Sequence, residues 1–88
     1  MNNELQNTFN QSTKDVKNLT KIPDDEILLF LYSHYKQATI GDCNINAPNF
    51  WNIRDNAKYN AWSSIKGMSK NLAMSLYSKK VNELLKMT

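Results

Sequence analysis

Two tyrosines and a lysine, Tyr32, Tyr35 and Lys36, fall within little more than one helical turn of one another. On a helix turning about 100° per residue they share one face with Leu28 and Leu29. That face offers ring surfaces, phenol hydroxyls and an ammonium, the groups that receive an anionic molecule with aromatic and aliphatic parts. Ile27, Phe30, Leu31, His34 and Ala38 fall on the other side, so the helix has two apolar faces. A surface helix needs one stripe to join a core, and the second face must be covered by something else. Periodicity alone is met equally well by a wide core helix whose Tyr and Lys side chains snorkel at its rim.

Charge placement adds to the first reading. The formal net charge is +3, with Arg54 the single arginine, which argues weakly for an anionic partner. Between Glu26 and Asp42 the only formal charge is Lys36, so an anion approaching the middle of this segment meets a positive group in aromatic surroundings. Other chemistry is poorly supplied. His34 and Cys43 are single and have no evident acid partner, and no His or Cys cluster has metal-ligand spacing. Neither catalysis nor metal binding is expected, and His34 reads as a core histidine one turn after Phe30. Lys79, Lys80 and Lys86 read as a solvated helix end that complements the dipole. Lysines scattered along the chain make no continuous basic stripe for a nucleic acid, and no polybasic cluster marks a membrane binder.

The elements that must position these groups are helices. The chain has 88 residues, enough for one small domain over 1–88 with a single modest core, so a large ligand must sit on its surface. Only two glycines and two prolines occur, at Pro23, Gly41, Pro48 and Gly67, and no strand pattern competes. The expected fold class is all-α. A first helix spans about 4–19, with Leu5, Phe9, Val16 and Leu19 on one stripe. A second follows Pro23, with Asp24, Asp25 and Glu26 at its positive end, and runs to about 40. The long connection 41–53 is expected to be pinned down by Phe50, Trp51 and Ile53. A third helix, about 54–65, turns Ala57, Ala61, Trp62 and Ile65 inward and leaves Lys58 to reach outward into a groove. Ser69 is the expected N-cap of a fourth helix to about 86, with Leu72 where a capping box would place an acid. Its stripe of Ala73, Leu76, Tyr77, Val81, Leu84 and Leu85 should pack on the first helix. Met68, Met74 and Met87 are expected to fill core or rim.

No apolar run approaches the ~20 residues that span a bilayer. Met1-Asn2-Asn3-Glu4 lacks the basic start and apolar stretch of a signal peptide, and the lone Cys43 fits a reducing compartment, so a cytoplasmic location is expected. Each helix already has a partner face, which points to a monomer.

The stretch Tyr32-Ser33-His34-Tyr35-Lys36-Gln37-Ala38-Thr39, followed by Gly41-Asp42 and Asn44, then Ala57-Lys58-Tyr59-Asn60-Ala61-Trp62, Lys66-Gly67-Met68-Ser69 and Ala73-Met74 with Tyr77, resembles the acyl-CoA-binding protein family over nearly the whole chain. The resemblance implies a skewed four-helix bundle without enzymatic activity or cofactor. It implies a carrier and pool former for medium- and long-chain acyl-CoA esters such as palmitoyl- or myristoyl-CoA, in brief contact with membranes or acyl-CoA-using enzymes. By the same resemblance, Tyr32, Lys36 and Lys58 match positions that hold the 3′-phosphate of the CoA ribose, where two ammoniums and a phenol suit a dianion. Tyr35 matches a position beside the adenine, and Tyr77 and Lys17 match further contacts to the nucleotide and phosphates. Leu28 and Leu29 would line the apolar part of the groove, with the first helix near Ser12, Thr13 and Val16 as its other wall.

The chain departs from the family pattern at Ile22, where a lysine is common. It departs again at Asp55-Asn56, where a glycine and a basic residue are common, and at Tyr59, where a tryptophan is common. Asp55 should weaken attraction of phosphate near Lys58.

Overall fold

Pro23 stops the chain from running as one helix into the apolar segment that follows, and the acids after it set the start of the next. The computed structural model describes residues 3–87. It comprises α1 (Asn3–Asp15), a short 3-10 turn (Val16–Asn18), α2 (Asp25–Thr39), α3 (Ile53–Ser63) and α4 (Lys70–Lys86). No strand occurs among the described residues. The first helix is shorter than its stripe suggested: beyond Asp15 the backbone tightens, and Leu19 is extended at φ −63°, ψ 134°. Asn18 and Thr20 are weak helix formers, and a 3-10 turn is a common way to end a helix. Val16 and Leu19 still pack on the core from this turn.

The core lies between α1, α2 and α4. Phe9, Leu31, Ala38, Ala73, Met74, Tyr77, Val81 and Leu84 form one buried cluster, with Leu5, Ile27, Met68 and Leu85 against its edge. The expected pairing of α1 with α4 is present, and α4 packs as closely on α2, whose inner face is Leu31, His34 and Ala38. α3 packs on α2. It is anchored by Trp62, only 1 % exposed, while Ala57, Ala61 and Ile65 are half-buried. Met87 is exposed and fills neither core nor rim.

The helix ends follow local chemistry. Ser69 caps α4, its Oγ accepting the Leu72 N–H at 3.0 Å. Asn52 caps α3: its Oδ1 accepts from the Asp55 N–H at 3.2 Å, and its amide donates to the Asp55 carboxylate at 2.7 Å. Asp55 thus has a structural task, a negative group at the positive end of α3. His34 is the core histidine expected of it, buried, stacked on Phe30 at 3.9 Å and with Nδ1 2.7 Å from the Phe30 carbonyl oxygen. Lys80 is less solvated than expected. Its ammonium lies 5.2 Å from the Phe30 ring centroid and pairs with Glu83 at 3.4 Å.

The connection between α2 and α3 is not held by its large apolar residues. Phe50, Trp51 and Ile53 are 85 %, 68 % and 81 % exposed. Polar bonds fix it instead. The Trp62 indole donates to the Gly41 carbonyl at 2.8 Å, and the Asn56 amide donates to the carbonyls of Asn49 (2.6 Å) and Asn52 (3.0 Å). Asp42 Oδ1 accepts from the Gln37 amide and the Gly67 N–H, both at 2.8 Å. The wholly buried Gln37 amide also reaches the Met68 carbonyl at 2.8 Å. This knot ties the end of α2 to the turn before α4. Gly41 and Gly67 sit in it at φ 106° and 91°, where a side chain would be strained.

Candidate functional site

The outer face of α2 is covered only in part. Leu28 is 39 % exposed, Tyr35 is 41 % exposed, and Leu29, Tyr32 and Lys36 are half-buried. α3 crosses beside this face and leaves a cleft of about 580 Å³. Asp25, Leu28, Leu29 and Tyr32 form one wall. Ile53, Arg54, Ala57 and Lys58 form the other. The second wall next to Leu28 and Leu29 is therefore α3, not α1 with its following turn, where Ser12 is buried and Val16 packs on the core. The Cα framework is only 15 Å thick along its shortest axis, so the cleft is an open surface feature.

At one end of the cleft, positive charge gathers about a single ring. Lys58 places its ammonium 5.4 Å from the Tyr32 ring centroid, and Lys36 places its own 5.9 Å from the same centroid and 5.6 Å from that of Trp62. Aromatic faces attract cations, and this geometry brings two flexible side chains to one ring. Among the described residues the one ion pair is Lys80–Glu83, so neither ammonium has a carboxylate partner. Burial raises the Tyr32 phenol pKa, with Cys43 and Asp55 adding to the effect, so its hydroxyl stays a proton donor at neutral pH. Two ammoniums and a donor hydroxyl make a receptor for a dianion such as a phosphate monoester.

Tyr35 belongs to a neighbouring cluster. Its ring stacks on Phe9 of α1 at 5.9 Å and 28°, and tilts against Tyr77 of α4 at 6.1 Å, while Phe9 meets Tyr77 edge-on at 5.2 Å. Three helices thus fix one partly exposed ring, a face on which a flat base can stack. Tyr77 is buried, and burial first, then Tyr35, raises its phenol pKa.

The structure brings Leu28, Leu29, Tyr32, Lys36 and Lys58 together, and sets Tyr35 beside Tyr77. Lys17, exposed in the 3-10 turn, makes no ion pair or ring contact among the described residues. Four lining residues, Asp25, Ile53, Arg54 and Ala57, are not among the site residues expected from the sequence. The signal was present: Arg54 and Lys58 are four apart, as are Ile53 and Ala57, and such pairs share a helical face. Among the described residues no group of three or more His, Cys, Asp or Glu side chains could hold a metal ion.

Comparison with known proteins agrees with this arrangement. The family model described as acyl CoA binding protein matches residues 6–81. A relative from a Hypsibius species is 46% identical over 81 residues, covering 92% of this chain and 91% of its own. The acyl-CoA-binding protein of Dictyostelium discoideum is 47% identical over 70 residues, covering 80% and 83%. The crystal structure of Oryza sativa acyl-CoA-binding protein 2 superposes with a TM-score of 0.89 at 37% identity, covering 94% of this chain and 92% of that one. With the match running through all four helices and both walls of the cleft, this chain belongs to the acyl-CoA-binding protein family.

Proposed function

We propose that this protein binds medium- and long-chain acyl-CoA esters one to one in the cleft between α2 and α3 and carries them as an intracellular pool. It acts as a carrier and not as an enzyme. The convergence of Lys36 and Lys58 on Tyr32, neither of them ion-paired with a carboxylate among the described residues, supports this reading most directly. The three groups receive the 3′-phosphate of the CoA ribose, the adenine stacks on Tyr35 near Tyr77, and Arg54 and Lys17 add positive charge along the phosphates. The acyl chain follows Leu28, Leu29, Ile53 and Ala57.

Magnitudes assign a task to each part. Burying roughly fifteen methylenes at ~0.8 kcal/mol each contributes about 12 kcal/mol from water, against ~1.5–3 for a charge-assisted hydrogen bond. In a cell the tail's alternative is a membrane that buries the same methylenes, so most of the larger contribution cancels. Head-group contacts then decide whether the ester is extracted and distinguish it from a free fatty acid.

The remaining features of this reading are a single domain over 1–88, a monomer in the cytoplasm, palmitoyl- or myristoyl-CoA as ligand, and brief contact with a membrane or an acyl-CoA-using enzyme. Among the described residues no helix is long and apolar enough to cross a membrane. Calorimetric titration with palmitoyl-CoA, free CoA, the ester lacking the 3′-phosphate, and palmitate tests the proposal. Tight one-to-one binding of the intact ester with large losses for the other three is expected. Equal binding of palmitate would mean a general lipid groove, and no binding of any would overturn the carrier reading.

A further inference from the structure

Three large apolar side chains in near succession, Phe50, Trp51 and Ile53, are each more than two-thirds uncovered. Phe50 and Trp51 pack edge-on against each other, with ring centroids 5.0 Å apart, and stand out as a pair. Residues 43–53, between Asp42 and Arg54, carry no formal charge. Water is an unfavourable neighbour for such surface, and a rim of this kind marks a place of contact.

We propose that Phe50, Trp51 and Ile53 form a lipid-docking rim through which the protein meets the bilayer that supplies or receives its ligand; this rests on the carrier reading above. Three observations favour a lipid surface. First, Ile53 belongs to both the rim and the cleft wall, so a bilayer touching the rim lies at the mouth of the cleft, and an acyl chain can pass between them without crossing open water. Second, the segment can enter an interface without desolvating an ion. Its polar side chains include Asn44, Asn46, Asn49 and Asn52, which are less costly to dehydrate than charges, and indole rings favour the headgroup level. Third, the exposed Arg54 follows the rim directly, in a chain of net charge +3, and Asp55 is tied to Asn52, so a cation stands beside the rim to meet anionic headgroups. Three side chains fall short of the ~800 Å² per partner that a stable protein interface buries, which argues against a second copy or a dedicated protein partner.

The test uses the full chain and the double variant Phe50→Ser/Trp51→Ser, whose two positions do not line the cleft. Co-flotation measures partition onto vesicles of phosphatidylcholine, and of phosphatidylcholine with phosphatidylserine. Calorimetry measures palmitoyl-CoA binding in vesicle-free solution. Wild type is expected to partition more strongly onto the anionic vesicles. The variant should partition at least about tenfold more weakly, the ratio set by losing one large buried apolar side chain, with its affinity for palmitoyl-CoA unchanged. Equal partition of the two proteins, or no partition of wild type onto either vesicle, would overturn the docking rim. Self-association in sedimentation that the variant abolishes, without vesicle binding, would overturn it in favour of a second copy. Vesicle binding lost in the variant, with no binding of palmitoyl-CoA by wild type, would uphold the rim and overturn the carrier reading alone.

Discussion

The ammonium of Lys58 stands 5.4 Å from the ring centroid of Tyr32 and joins α3 to α2 across the cleft. Lys36 approaches the same ring from within α2, at 5.9 Å. Two cations share one aromatic ring with no ion-paired carboxylate among the described residues, a disposition that a bound dianion would satisfy.

Replacing either lysine by alanine should weaken palmitoyl-CoA binding. A charge-assisted hydrogen bond of ~1.5–3 kcal/mol corresponds to a loss of roughly 10- to 150-fold. Because both act on one phosphate, Lys36→Ala/Lys58→Ala should cost less than the sum of the single losses. Calorimetry at one fixed ionic strength measures all three, and affinities that simply add would place the lysines on separate groups.

Tyr32 has two parts to test. Tyr32→Phe keeps the ring that holds both ammoniums and removes one charge-assisted hydrogen bond to the phosphate, at ~1.5–3 kcal/mol, so affinity should fall by roughly 10- to 150-fold. Tyr32→Ala removes the ring as well and should lose more. Equal affinities for the two variants would show that the ring has no part in placing the lysines.

The apolar wall should act through the tail alone. Leu29→Ser is expected to reduce affinity for palmitoyl-CoA by ~1.5–3 kcal/mol, the range for a fully buried leucine, and to leave acetyl-CoA binding almost unaltered. A parallel loss for both esters would put Leu29 under the nucleotide.

Asp42 makes stability depend on acid. The Gly67 N–H first and the Gln37 amide second hold its carboxyl below the ordinary value of 3.8, with Lys66 adding to them against a burial effect of opposite sign. The folded protein therefore favours the carboxylate. The contribution is present above pH 3.8 and is lost as pH falls through the lower folded value. Asp42→Asn should destabilise the protein at neutral pH and flatten the acid limb of stability below about pH 4. Urea unfolding across that range reads both, and an unchanged acid limb would mean that other carboxylates set it.

Much of this was legible in the sequence because its signals are local. The helical stripes, the Ser69 cap and the clustering of Tyr32, Tyr35 and Lys36 follow from spacings of three and four residues. The misjudged parts depend on what lies across space. Phe50, Trp51 and Ile53 look like anchors in one dimension, yet the polar bonds of Trp62 to Gly41 and of Gln37 and Gly67 to Asp42 hold the connection and leave the three exposed. The second wall of the cleft likewise could not be read from α2 alone, since its partner, Arg54 with Ile53, lies beyond a long loop. Part of the Tyr32–Asp42 motif proves to be structural: Gln37 and Asp42 secure the turn that carries α4 into place.

Whether Tyr32, Lys36 and Lys58 hold the 3′-phosphate is decided by comparing palmitoyl-CoA with its analogue lacking that group, in wild type and in Lys36→Ala, by calorimetry at fixed ionic strength. Wild type should bind the intact ester at least about tenfold more tightly than the analogue, and Lys36→Ala should lose most of that preference. Equal affinity of wild type for the two esters would contradict the assignment of the three side chains to the phosphate.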